Sequence, residues 1–81
     1  MESLEIKRLI NTFLIEKLEL EETIVKPEAD LKKDLGMTSL DAVETARFIK
    51  QNFNIVPDFQ DIKAIVTVQD IYDYIEKHQI E

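Results

Sequence analysis

The sequence predicts an all-α fold, a small antiparallel four-helix bundle of three main helices and one short one. Three observations predict it. Apolar residues recur at spacings of three and four over three separate stretches. Two of those stretches open on a threonine with an aspartate three positions later, the pattern of a helix capping box. No run alternates apolar and polar residues for long enough to make a strand. At 81 residues and 44% hydrophobic, the chain can bury one core and not two, so a single domain over residues 1–81 is expected.

The first helix is expected from Ser3 to Leu18. Ile6, Leu9, Ile10, Phe13 and Leu14 share one face, and Ser3 is the expected N-cap. Residues 19–37 break the period with Glu19, Glu21, Glu22 and the Lys26-Pro27 step. A connection of that length in a small domain is often functional. Leu31 and Leu35 are expected to anchor it, and Gly36 to end it. The second helix is expected from Ser39 to Phe53, with Thr38 as N-cap and Asp41 completing its box. Asn54 and Pro57 bracket its end. A short third helix is expected over Asp58–Lys63. The fourth begins after Thr67, whose partner is Asp70, and turns Val68, Ile71, Tyr72 and Ile75 to one side.

Composition excludes several kinds of chemistry. The chain has no cysteine, so thiolate metal sites, disulfides and cysteine nucleophiles are out. The only histidine, His78, stands near the C-terminus, far along the chain from any candidate serine. One glycine cannot build a repeated-glycine phosphate loop, where average usage would supply roughly six. Seventeen acids against ten bases give a net charge of −7, which repels nucleic acid and anionic membranes and favours basic protein faces. The opening residues lack the apolar run of a secretory leader, and no run could span a bilayer. A cytoplasmic location is expected, with no nucleic-acid partner, no membrane insertion and a monomeric chain. No catalytic or metal-ligating constellation is found, so an enzyme is not expected.

On a wheel at about 100° per residue with Ser39 at zero, Ala42, Ala46, Ile49 and Phe53 cluster around 300° and form the expected core face of the second helix. Leu40, Val43 and Arg47 fall at about 100°, 40° and 80°, with Glu44 beside them at about 140°. Leu40 and Val43 are therefore apolar residues off the core stripe. They are either isolated exposed side chains or a docking patch rimmed by charge. Ser39 stands at a helix N-terminus after a glycine-containing loop, where free N–H groups favour a phosphate ester. No base lies near it in sequence, so it is poorly equipped as a self-activated nucleophile. On the residues alone it is a helix-start residue or another enzyme's substrate.

Asp34-Leu35-Gly36-Met37-Thr38-Ser39-Leu40-Asp41-Ala42-Val43-Glu44 resembles the prosthetic-group attachment motif of acyl carrier proteins. Val56-Pro57-Asp58 is similar to that family's segment before its short helix, and Ile65-Val66-Thr67-Val68-Gln69-Asp70-Ile71 to the start of its last one. The resemblance implies an acyl-carrier-protein-like bundle without catalytic activity. It implies that a phosphopantetheinyl transferase moves 4'-phosphopantetheine from coenzyme A onto Ser39, with magnesium in the transferase. The thiol of the arm would then carry acyl groups as thioesters between acyl-transfer and synthase enzymes of fatty-acid or related lipid biosynthesis. It implies docking through Leu40, Asp41, Val43, Glu44 and Arg47, and an acyl pocket lined by Ala42, Ala46 and Ile49.

Two features depart from the family pattern. Thr38 stands where an aspartate is usual. The second helix sets Asp41 and Glu44 against Arg47 and Lys50 and so is neutral where the family's is acidic. These departures keep two other readings open: a dedicated carrier of a polyketide, aminoacyl or lipid-modifying pathway, and an unmodified helical interaction domain.

Overall fold

The computed structural model describes residues 2–79. Helix α1 spans Ser3–Leu18, α2 Ser39–Phe53, α3 Phe59–Ala64 and α4 Val68–His78, and one 3-10 turn, Glu22–Ile24, interrupts the connection between α1 and α2. Among the described residues no strand forms, and extended pairing is limited to a bridge between Asp30 and Thr67. The sequence predicts α1 and α2 with these bounds. α3 starts and ends one residue later than expected, because Asp58 is not its first residue but its cap.

Helix starts follow local chemistry. Thr38, Asp58 and Thr67 each accept from the backbone N–H three residues on, and Asp41, Asp61 and Asp70 each accept from the cap's own N–H. Two otherwise free donors are satisfied at each of these ends. Ser3 does not cap α1. Glu2 holds the cap position in extended backbone without a side-chain bond, and its carbonyl accepts from Glu5 and Ile6, 3.1 Å each. Ser3 is already helical, so its hydroxyl is not placed to reach the free N–H groups.

The core is built mainly from α1 and α4. Ile6, Ile10 and Leu14 on one side and Val68, Ile71, Tyr72 and Ile75 on the other are fully buried or nearly so. The Tyr72 hydroxyl donates to Asn11 Oδ1 across that contact. Leu31 and Leu35 anchor the long connection as expected. It is also stitched to the start of α4 by Leu31 N–H to the Val66 carbonyl, 2.9 Å, and Val68 N–H to that of Ala29, 3.1 Å. The Cα radius of gyration, 11.5 Å, is that of a well-packed chain of this length, for which about 11.7 Å is expected.

The face of α2 differs from the expected one. Thr45 and Ile49 are buried, while Ala42, Ala46 and Phe53 are half-buried. The buried stripe is turned by about 40° toward Thr45. Packing of α1 explains the turn. Phe13 stacks on Phe48 with ring centroids 4.3 Å apart, and Lys17 Nζ pairs with Glu44 Oε2. Thr45 tolerates burial because its hydroxyl donates to the Asp41 carbonyl one turn back, 2.8 Å.

Candidate functional site

The segment leading to Ser39 is held by its own hydrogen bonds. Asp30 Oδ1 accepts from the N–H groups of Lys32 and Lys33, at 2.9 and 2.8 Å, and Asp34 Oδ2 accepts from Asp30 N–H at 2.7 Å. The Lys33 and Lys32 amides, with the nearby lysine charges, hold the Asp30 carboxyl below the usual aspartate range. Gly36 turns the chain at φ +72°, a left-handed conformation that side chains rarely take. Met37 N–H then closes onto the Leu31 carbonyl at 2.8 Å, and the Leu35 and Met37 side chains are buried.

Thr38 fixes the first turn of α2. Its hydroxyl accepts from Asp41 N–H at 3.2 Å, and its N–H donates to Asp41 Oδ2 at 3.0 Å. Those bonds to Thr38, backbone first, keep Asp41 ionised below the ordinary range, and Lys17 adds to the effect. Ser39 is the next residue, exposed at the head of α2, and among the described residues no hydrogen bond engages its Oγ. Beside it Leu40 is 67% exposed and Val43 54% exposed, with Arg47 exposed one turn on. Glu44 is turned away from them, half-buried against Lys17 of α1. Of the five expected docking residues, three thus face outward, and the two acids are bonded within the chain.

Behind this surface lies an apolar cavity of about 40 Å³. Ala42, Ala46 and Ile49 line it, as expected, together with Thr45 of α2, Ile62 of α3 and Ile71 of α4. Sequence reasoning missed Thr45, Ile62 and the Lys17–Glu44 pair. A threonine that can bond to the carbonyl four residues back was the available signal for Thr45. Nothing local marks the pair, whose partners lie far apart in sequence. Among the described residues no group of three metal-binding side chains forms, and no helix is long and apolar enough to cross a membrane.

A family model described as the phosphopantetheine attachment site matches residues 7–75. The chain belongs to the phosphopantetheine attachment site family. It is therefore a phosphopantetheine carrier protein, and its prosthetic group is covalent 4'-phosphopantetheine. Carrier domains of this family work with transferases and synthases and are not catalytic themselves. The residues present fit such a group. A phosphodiester-linked arm needs an exposed oxygen that no other bond occupies, and the head of α2 offers one on a rigidly capped turn.

Proposed function

We propose that the carrier holds its arm on Ser39 and serves fatty-acid or related lipid biosynthesis in the cytoplasm, as a single-domain, monomeric, non-enzymatic shuttle. The observation that carries this reading is the free, exposed hydroxyl at the capped start of α2. A transferase joins the serine oxygen to the arm's phosphate, displacing the nucleotide half of coenzyme A. The serine has no base of its own, so the proton must leave through the transferase. Leu40, Val43 and Arg47 then offer partners a surface, with Asp41 and Glu44 holding the helix behind it. Ala42, Ala46 and Ile49 shelter an acyl chain, for which each buried CH₂ contributes about 0.8 kcal/mol.

A second reading is a dedicated carrier for a polyketide, aminoacyl or lipid-modifying assembly. The neutral α2 favours it, since charge placement selects partners. Intact mass after incubation with coenzyme A and a broad-specificity transferase tests the site. A gain equal to the arm is expected, located by fragmentation to Ser39 and absent in Ser39→Ala. A gain that survives Ser39→Ala would move the attachment elsewhere. No gain with several transferases would leave a helical interaction domain. The group found on protein from its native host separates the two pathways.

A further inference from the structure

Buried polarity in this chain is concentrated at one place. Beside Tyr72, whose hydroxyl meets Asn11, Thr45 is among the described residues the one buried residue with a polar side chain, 6% exposed. It lines the apolar cavity, and every other residue lining that cavity is aliphatic, methionine or proline. Packing does not require a hydroxyl at this position. Valine has nearly the same shape and makes no polar demand, so threonine in its place is not a neutral choice. The Thr45 hydroxyl spends its hydrogen on the Asp41 carbonyl at 2.8 Å. Among the described residues no donor reaches its oxygen, which keeps its capacity to accept.

Size and polarity together restrict what the cavity can take. A cavity of about 150 Å³ holds a benzene ring. This one, at about 40 Å³, has room for roughly two carbon atoms. Met37 and Ala42, on either side of Ser39 in the chain, are among its walls. A long chain does not fit these walls. In a short acyl group the one or two carbons that enter are those that carry its substituent. A hydroxyl there would lose its water and find no partner among aliphatic side chains. The Thr45 oxygen supplies that partner. An ammonium would bring a full charge that one neutral acceptor cannot offset. We infer that Thr45 is the specificity-determining residue of the cavity: its Oγ accepts from a hydroxyl on the cargo, so that short hydroxyacyl groups are sheltered in preference to saturated ones. The inference rests on the proposed attachment at Ser39 and on the cavity as the acyl shelter.

The test compares two cargoes of equal length on the full chain, butyryl and 3-hydroxybutyryl, loaded on Ser39 from their coenzyme A thioesters by a broad-specificity transferase. Shelter is read as protection of the thioester from hydroxylamine. Protection is the cleavage rate of the same pantetheine thioester free in solution divided by its rate on the carrier. In the wild type 3-hydroxybutyryl should be protected at least as well as butyryl. Thr45→Val should cut the protection of 3-hydroxybutyryl at least about threefold and leave that of butyryl equal or higher. Thr45→Ser keeps the oxygen and should hold the wild-type order. A purely structural role would move both cargoes together. Should Thr45→Val not fold, Thr45→Ala decides by the same comparison. Four results overturn the inference and leave Ser39 as the site: a smaller or equal loss for both cargoes in Thr45→Val, loss of the order in Thr45→Ser, weaker protection of 3-hydroxybutyryl than of butyryl in the wild type, or no protection of either. A chain that takes no arm overturns the attachment and the inference together.

Discussion

Gly36 and Thr38 lead into the candidate site, and each supplies one property whose removal has a separable effect. Thr38 contributes a hydroxyl acceptor to Asp41 N–H. Thr38→Ala removes it and should lower stability by about 1 kcal/mol in urea unfolding, whereas Thr38→Asp keeps an acceptor at the cap and should change stability by less than about 0.5 kcal/mol. Gly36 contributes conformation rather than room. A Cβ added there would meet nothing within 4 Å, but φ is +72°. Gly36→Ala should therefore cost only the backbone strain, about 1–2 kcal/mol, and Gly36→Asn should cost less, because asparagine tolerates that region. A larger loss in Gly36→Ala would mean a hidden clash. Leu40→Ala and Val43→Asp act on neither cap nor core. They should slow transfer by partner enzymes while far-UV circular dichroism stays unchanged, and unfolding of either variant would show that these side chains support the fold.

α3 depends on its neighbours. Six residues are too few for an isolated helix to persist in water. Its Asp58–Asp61 capping box satisfies its first turn, and the Tyr74 hydroxyl of α4 donates to Asp61 Oδ2 at 2.8 Å. Ile62 of the same helix lines the cavity, so this bond keeps one wall of it in place. Burial, reinforced by Asp61 and Asp58, pushes the Tyr74 hydroxyl up to about 12. A raised value means the neutral phenol is favoured in the folded chain. The stabilisation is complete below the ordinary value of 10 and fades as pH rises toward 12. Tyr74→Phe should speed amide exchange in α3 while exchange in α1 and the first turns of α4 changes little, and unaltered α3 protection would show that packing alone holds it. What was legible here follows from range. Capping boxes and the apolar face of α4 are local patterns, so they could be read from the sequence, and the box at Asp58 was present to be read as well. The rotation of α2 toward Thr45 could not be read. It is set by Phe13 and Lys17 of α1, and only the packed structure brings those residues to Phe48 and Glu44. For the same reason the free state of Ser39 Oγ was visible only once the bonds around it were known.

For the molecule as a whole, two electrostatic effects of opposite sign govern stability below neutral pH. At pH 7 a net charge of −7 is confined within a radius of gyration of 11.5 Å, and its self-repulsion opposes the compact state. Titration toward the isoelectric point near 4.6 relieves that repulsion, as does added salt. The second effect comes from four aspartates held below their ordinary value of 3.8. Asp61 is held down first by the Tyr74 hydroxyl, and Asp30, Asp41 and Asp70 first by backbone amides of Lys33, Thr38 and Val66. A lowered value means that the ionised form is favoured in the folded chain. This contribution is present above 3.8 and is lost as pH falls through the folded values beneath it. The urea midpoint should therefore rise from pH 7 to pH 5 at low salt, then fall steeply below pH 4 as the capping boxes at Thr38, Asp58 and Thr67 lose their carboxylates. Raising the salt should flatten the first limb by screening and leave most of the second, because the second rests on short hydrogen bonds rather than on distant charges. A midpoint that stays level from pH 5 to pH 2 would mean the boxed aspartates are no better bonded in the folded chain than in the unfolded one. A first limb that persists at high salt would mean self-repulsion is not its cause.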